Sequence, residues 1–194
     1  MAEYYDAWSN TITKNGLKAD LVISALQKCI RRADEDLAMR FAYELYVTSP
    51  FHEAKMWQRL LVISVEDIGF GNPEAPILVR NLFELHKEYD YHDGDRTIFF
   101  LQAIRYLCRC KKERSTDNIK CIIMRESAKG EVPEIPEYAY DMHTIKGREQ
   151  GKDFAHFLNE ASKVEPLADD YDDQYRQALL AMYEEEIAEE KANN

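Results

Sequence analysis

The stretch RLLVISVEDIGFGNPEAPILV, Arg59 to Val79, decides the fold. An apolar run from Trp57 to Val65 leads into Glu66-Asp67-Ile68, and Gly69 and Gly71 then release the backbone. Asn72-Pro73 opens a new helix, asparagine being a good N-cap and proline suiting a first helical turn. Three-and-four spacing puts Trp57, Leu60, Leu61, Ser64 and Ile68 on one helix face, while Val62, Ile63 and Val65 cover much of the rest. A helix that is apolar nearly all round is a buried one. The expectation is a central helix with the others packed round it, Glu66 and Asp67 reading as its polar exit or, alternatively, as a functional carboxylate pair.

Working outward, Leu17, Leu21, Val22, Ala25, Leu26, Cys29 and Ile30 make a helical stripe that ends in Arg31-Arg32, where positive charge suits the helix dipole. Asp34 reads as the N-cap of a second helix with Leu37, Phe41, Ala42 and Leu45 inward, stopped at Ser49-Pro50. Downstream of the central helix, the spacing predicts a helix on Ala75, Leu78, Val79, Leu82 and Leu85, and another on Ile98, Leu101, Ile104, Arg105 and Cys108. A further helix, capped by Thr116-Asp117, is expected to turn Ile119, Ile122, Ile123 and Glu126 inward and to end at Lys129-Gly130. Pro133 and Pro136 then enforce an extended segment, followed by the glycine-containing stretch from Tyr138 to Lys152 and a short helix from Phe154 to Ala161. The last helix, Gln174 to Lys191, is amphipathic on Tyr175, Ala178, Leu179, Met182 and Tyr183, with an acidic end expected to fray. No stretch alternates as a strand does. The fold class read from this is all-α, a bundle of about eight helices: an N-terminal arm or short helix over 1–16, a helical core over 17–130, and an extended segment with C-terminal helices, 131–194, packing on that core.

The totals set limits. The 194 residues suffice for one sizeable core, and the formal net charge of -11 argues against a generally basic nucleic-acid coat while permitting a local basic face. No apolar run is long enough to span a bilayer, and MAEYYDAWSN lacks the form of a signal peptide, so a cytoplasmic protein without membrane contact is expected. Cys29, Cys108, Cys110 and Cys121 form no CxxC pair; on a helix Cys108 and Cys110 point about 200° apart, and all four read as free thiols. Walker A, dinucleotide-turn and nucleophile-elbow sequences are absent, and the histidines lack metal-ligand spacing, so neither cofactor nor metal is expected.

Three segments in order, SALQKCIRRADEDLAMRFAYEL, RLLVISVEDIGFGNPEA and DMHTIKGREQGK, carry a resemblance. Ser24-Ala25-Leu26 with Lys28 and Ile30-Arg31, then Glu66-Asp67-Ile68-Gly69 with Pro73 and Ala75, then Asp141 and His143 with Gly147 and Gly151, resemble the C-terminal region of the RarA/MgsA and Werner-helicase-interacting AAA+ ATPase family. The resemblance covers residues 18–160. It implies a helical collar similar to the oligomerisation domain of clamp-loader subunits, a homo-oligomer (a tetramer in that family), and service in DNA replication or repair with DNA or replication proteins as partners. The family's ATPase domain precedes this region and has no counterpart in these residues, so ATP hydrolysis is not carried over and the chain reads as a stand-alone collar without enzymatic activity. The family's Tyr-x-Tyr-Pro-His-Asp ending is replaced by Asp153-Phe154-Ala155-His156-Phe157.

Two further groups of residues invite a chemical reading. Arg105, Arg109, Lys111, Lys112, Arg114, Lys120 and Arg125 stand against only Glu113 and Asp117 in their stretch. Such a basic rim can neutralise phosphates, and Tyr106 can add stacking, so direct DNA binding is the alternative function. Asp141 and His143, two apart, can orient an imidazole for acid–base work, which gives the enzymatic alternative; the simpler reading is a capping arrangement in which Thr144 starts a short helix. Lys146-Gly147-Arg148 with Gly151-Lys152 reads as a possible anion cradle.

Overall fold

A computed structural model describes residues 7–193, the side chain of Ala7 excepted, so the start of the expected N-terminal arm lies outside them. The described residues are all-α: nine α-helices joined by 3₁₀ and π turns, with one isolated bridge between Ile12 and Lys18. The chain forms two compact units, one through Gly130 and one from Glu131.

In the first unit, α1 (Ala19–Arg31) and α2 (Glu35–Thr48) form a hairpin. Ala33 takes a left-handed φ of 60° between them, and Asp34 caps α2 by accepting from Leu37 N at 3.3 Å. Ser49 caps α3 (Pro50–Ile63) through its Oγ, which accepts from His52 N, with Pro50 in the first turn. The helix widens into a π turn over Ser64–Ile68, and Gly69 breaks it at φ 51°. Beyond Gly71, the Asn72 side chain accepts from Glu74 N at 3.2 Å as α4 (Ala75–Leu85) begins. Two longer helices complete the unit, α5 (Arg96–Arg109) and α6 (Ser115–Ala128).

The core sits round α3, as the apolar run suggests. Met56, Trp57, Leu60 and Ile63 are closed from solvent against Leu26 and Ile30 of α1, Leu45 of α2, Val79 of α4, and Phe100, Ile104 and Leu107 of α5. Yet α3 and its exit are not buried all round: Val62 and Val65 are exposed. On α5 the buried face is Phe100, Ala103, Ile104, Leu107 and Cys108, which leaves Ile98 and Arg105 of the expected stripe outside. Leu17, Leu21, Leu37 and Leu85 are likewise exposed edges of stripes read as inner.

The largest correction concerns α6. It starts at Ser115, ahead of the expected Thr116-Asp117 cap and without a side-chain cap bond; it buries no residue, and Ile119, Ile122 and Ile123 are 54%, 53% and 57% exposed. Periodicity identifies an apolar face; it does not say that this unit covers it.

The second unit carries an extended run over 131–136, α7 (Ile145–Glu149), the one-turn α8 (Phe154–His156) with a π turn over Phe157–Ala161, and α9 (Gln174–Ala192). Phe154 meets Tyr183 of α9 edge-on at 5.1 Å, and Leu158 is buried beneath. The helix α9 keeps its turns to Ala192, with Tyr175, Leu179 and Met182 exposed. No helix among the described residues is long and apolar enough to cross a membrane.

Candidate functional site

The Glu66-Asp67 pair lies at the end of α3, and the π turn aims both carboxylates toward α1 and the α5–α6 loop. Asp67 is closed from solvent and takes bonds from Arg31 Nε at 2.6 Å, Gln27 Nε2 at 2.8 Å and Arg114 Nη1. Glu66 receives Gln27 Nε2 at 3.0 Å and Arg114 Nη1 at 3.1 Å. Burial pushes the Asp67 carboxyl up, but the Arg31, Gln27 and Arg114 bonds outweigh it, and the group is held below its ordinary value. The pair is therefore neither a solvated exit nor a reactive couple. It is an ion-paired hub joining α1, α3 and the loop after α5.

The glycines of the same motif serve this hub. Glu113 N donates to Asp67 O at 3.0 Å, drawing the α5–α6 loop onto the turn. A Cβ at Gly69 would lie 2.6 Å from Glu113 O, and one at Gly71 2.5 Å from Lys111 O. Only glycine permits that approach.

The basic rim is held by bonds that the linear sequence conceals. Glu35, at the start of α2, accepts from Arg105 Nε at 2.6 Å and Arg109 Nε at 3.1 Å. Lys112 Nζ donates to the carbonyls of Leu107, Cys108 and Cys110, capping α5, and burial pulls its pKa down. Arg114 is taken by the hub and by Asp117, which also holds Lys120, and Arg125 Nη1 donates to Cys121 O. Lys111 is the exposed member that makes no side-chain bond among the described residues. Tyr106 is half-buried, its hydroxyl accepting from Asn72 Nδ2 at 2.8 Å. Glu35, Glu66 and Asp67 thus bring carboxylates to a rim whose own stretch supplies only Glu113 and Asp117. Cys108 is buried beside it, its thiol pushed up by burial to about 11, and so unreactive at neutral pH.

In the second unit, Asp141 Oδ1 accepts from His143 N and Oδ2 faces His143 Nδ1, both at 2.9 Å. Thr144 Oγ1 accepts from Gly147 N at 3.0 Å, so Thr144 caps α7. A Cβ on Gly147 would fall 1.9 Å from Asp141 O, so the glycine lets α7 press on the Asp141 backbone. The His143 ring is exposed and meets Phe157 edge-on at 5.0 Å. This is a capped loop with an outward imidazole. Lys152 reaches Glu137 at 3.5 Å and His156 at 3.1 Å, while Arg148 Nη1 donates to Met142 O; Lys146 stands 4.2 Å from the centre of the Tyr140 ring.

One feature escapes sequence reasoning. A groove of about 470 Å³ runs between the end of α3 and the start of α6, lined by Leu61, Val62, Val65, Glu66, Thr116, Asp117 and Lys120. Helical spacing continues the Thr116–Lys120 row through Ile123, with Ile119 beside it. The groove and the uncovered face of α6 form one largely apolar surface; the signal in the sequence was the surplus of apolar positions on α3 and α6, read there as core.

No protein-family model matches the chain. It is similar to Replication-associated recombination protein A of Bacillus subtilis (strain 168), 27% identical over 131 residues. That alignment takes in 68% of this chain and 30% of the bacterial protein, so the chain spans under a third of its relative's length.

Proposed function

We propose that this chain is a non-catalytic helical assembly module of the replication-recombination machinery, one that self-associates through α6 and the adjoining end of α3. The similarity to a replication-associated recombination protein supports the setting. The observation that carries the assembly role is the apolar face of α6. A lone amphipathic helix gains most of its stability from packing that face, and α6 leaves three isoleucines more than half exposed beside Val62 and Val65. Contiguous apolar surface of this kind marks an interaction site, and a second copy offers the same surface in return, as a two-fold interface requires. The collar-like architecture and tetrameric state implied by the family resemblance belong to this reading, as do DNA or replication proteins as further partners in the cytoplasm.

The hub of Glu66 and Asp67 fits the reading because it fixes the base of α6 to the core, so that the exposed face is presented at a set angle. Ile122→Asp and Val65→Asp are the discriminating substitutions. Both positions are exposed in the protomer, so the monomer keeps its helicity and melting temperature while light scattering shows the assembly dissociating. Retention of the wild-type mass in both variants would remove this surface from the account.

A further inference from the structure

A second, smaller pocket lies on the same face of α1 as the hub, nearer the helix start, between α1, α3 and the N-terminal turn. It has a volume of about 240 Å³ and is lined by Trp8, Asp20, Ile23, Ser24, Gln27, Lys55 and Arg59. Most arginines of the first unit are paired with carboxylates, and Arg32 and Arg125 donate to backbone carbonyls. Arg31, Arg40, Arg80, Arg96, Arg105, Arg109 and Arg114 all hold carboxylates. Among the described residues Arg59 has only the neutral Gln27 Oε1, at 3.2 Å from its Nη1, and its Nε is shut off from solvent without a partner. Lys55, one helical turn earlier, makes no ion pair among the described residues; its ammonium stands 5.4 Å from the centre of the Trp8 ring. In a chain of net charge -11, two half-buried cations on one pocket, neither of them paired with the Asp20 that shares its wall, are conspicuous.

We infer that this pocket binds a phosphate group. A buried guanidinium N–H without an acceptor is costly unless a ligand supplies one, and arginine with lysine is the pairing that phosphate recruits. Three side chains of the lining have donors left over. Besides Lys55 Nζ and Arg59 Nε, the Ser24 hydroxyl already accepts from Lys28 Nζ at 2.6 Å, which leaves its own proton to give. Gln27 is saturated: its oxygen takes Arg59 and its nitrogen serves Glu66 and Asp67. A tetrahedral oxyanion offers an oxygen to each free donor, where a planar carboxylate has only two. Asp20, the carboxylate on the wall, is turned to its own backbone, Oδ1 accepting from Leu21 N at 2.8 Å. The volume lies below the roughly 300 Å³ at which pockets begin to enclose a whole drug-sized ligand. The pocket therefore takes the phosphate itself and leaves whatever carries it outside. Through Gln27, Arg59 also touches the carboxylate hub, so an occupied pocket braces the base of α6.

The test is titration calorimetry on the full chain at low salt with three probes: inorganic phosphate, thymidine 5′-monophosphate, and a short single-stranded oligothymidylate with or without a 5′-phosphate. Saturable binding by phosphate-bearing probes, weakened at least tenfold in both Lys55→Ala and Arg59→Gln and unchanged in Lys111→Ala on the basic rim, is the expected result. Lys55 makes no hydrogen bond among the described residues, so its variant keeps the test decisive even where Arg59→Gln disturbs the hub. Equal affinity for inorganic phosphate and the monophosphate identifies a free phosphate as the source; preference for the 5′-phosphorylated strand identifies a polynucleotide end. No saturable heat from any probe at millimolar concentration, or binding that survives Lys55→Ala, would overturn the assignment.

Discussion

Asp67 shows what one residue does here. It is closed from solvent, and two arginines and a glutamine converge on it from elements 36 to 47 positions away in sequence. Removing one partner of a buried ion pair costs about 3–5 kcal/mol, because the charges left behind lose their compensation. Asp67→Ala is accordingly expected to lower the stability measured by urea unfolding by that amount. The pH dependence has a definite sign. The folded pKa is held below the ordinary aspartate value of about 3.9. The unfolded chain therefore takes up a proton that the folded chain refuses, and the stabilisation, complete above pH 4, is lost as the pH falls through the folded value. In Asp67→Ala the acid limb of the urea-midpoint profile should flatten; an unchanged limb would show that other carboxylates govern it. The motif residues themselves were legible in the sequence. Their partners were not, because Gln27 and Arg31 meet Asp67 only after α1 packs against α3.

At the scale of the element, the glycine turn and α6 belong together. Gly69 carries φ 51°, a conformation that L side chains rarely adopt, and its missing Cβ makes room for the Glu113 carbonyl. Gly69→Ala should push the α5–α6 loop off the turn and loosen the Glu113–Asp67 backbone bond. Limited trypsinolysis reads this directly: cleavage at Lys111, Lys112 and Arg114 should accelerate several-fold in the variant, and equal rates would place the loop's anchorage elsewhere. Periodicity located α1 to α6 because each carries an apolar face long enough to register, Asp34 marked the start of α2 and Ser49-Pro50 its end. It misjudged which faces are covered. The stripe on α5 included Ile104 and Cys108, which are buried, but also Ile98 and Arg105, which are not, and it missed Phe100 and Leu107, since aromatic and aliphatic residues fall on several sides of that helix. It also read Ile119, Ile122 and Ile123 as core, because the spacing of an apolar face is the same whether or not the chain covers it. The ion pairs of the basic rim were hidden for a related reason: its counter-ion Glu35 is 70 positions from Arg105 in sequence and 2.6 Å away in space.

At the scale of the whole molecule, the described chain is two compact helical units, the first of which ends in a helix that the unit does not cover. The all-α class was readable from residue patterns alone; the hub, the groove and the pocket between α1 and α3 required the packing. Sedimentation equilibrium of the unmodified 22.7 kDa chain across low to high micromolar concentration tests the assembly role most directly. The account predicts a mass that rises to a small whole-number multiple of the protomer and saturates there. A mass that stays at one protomer throughout would contradict it.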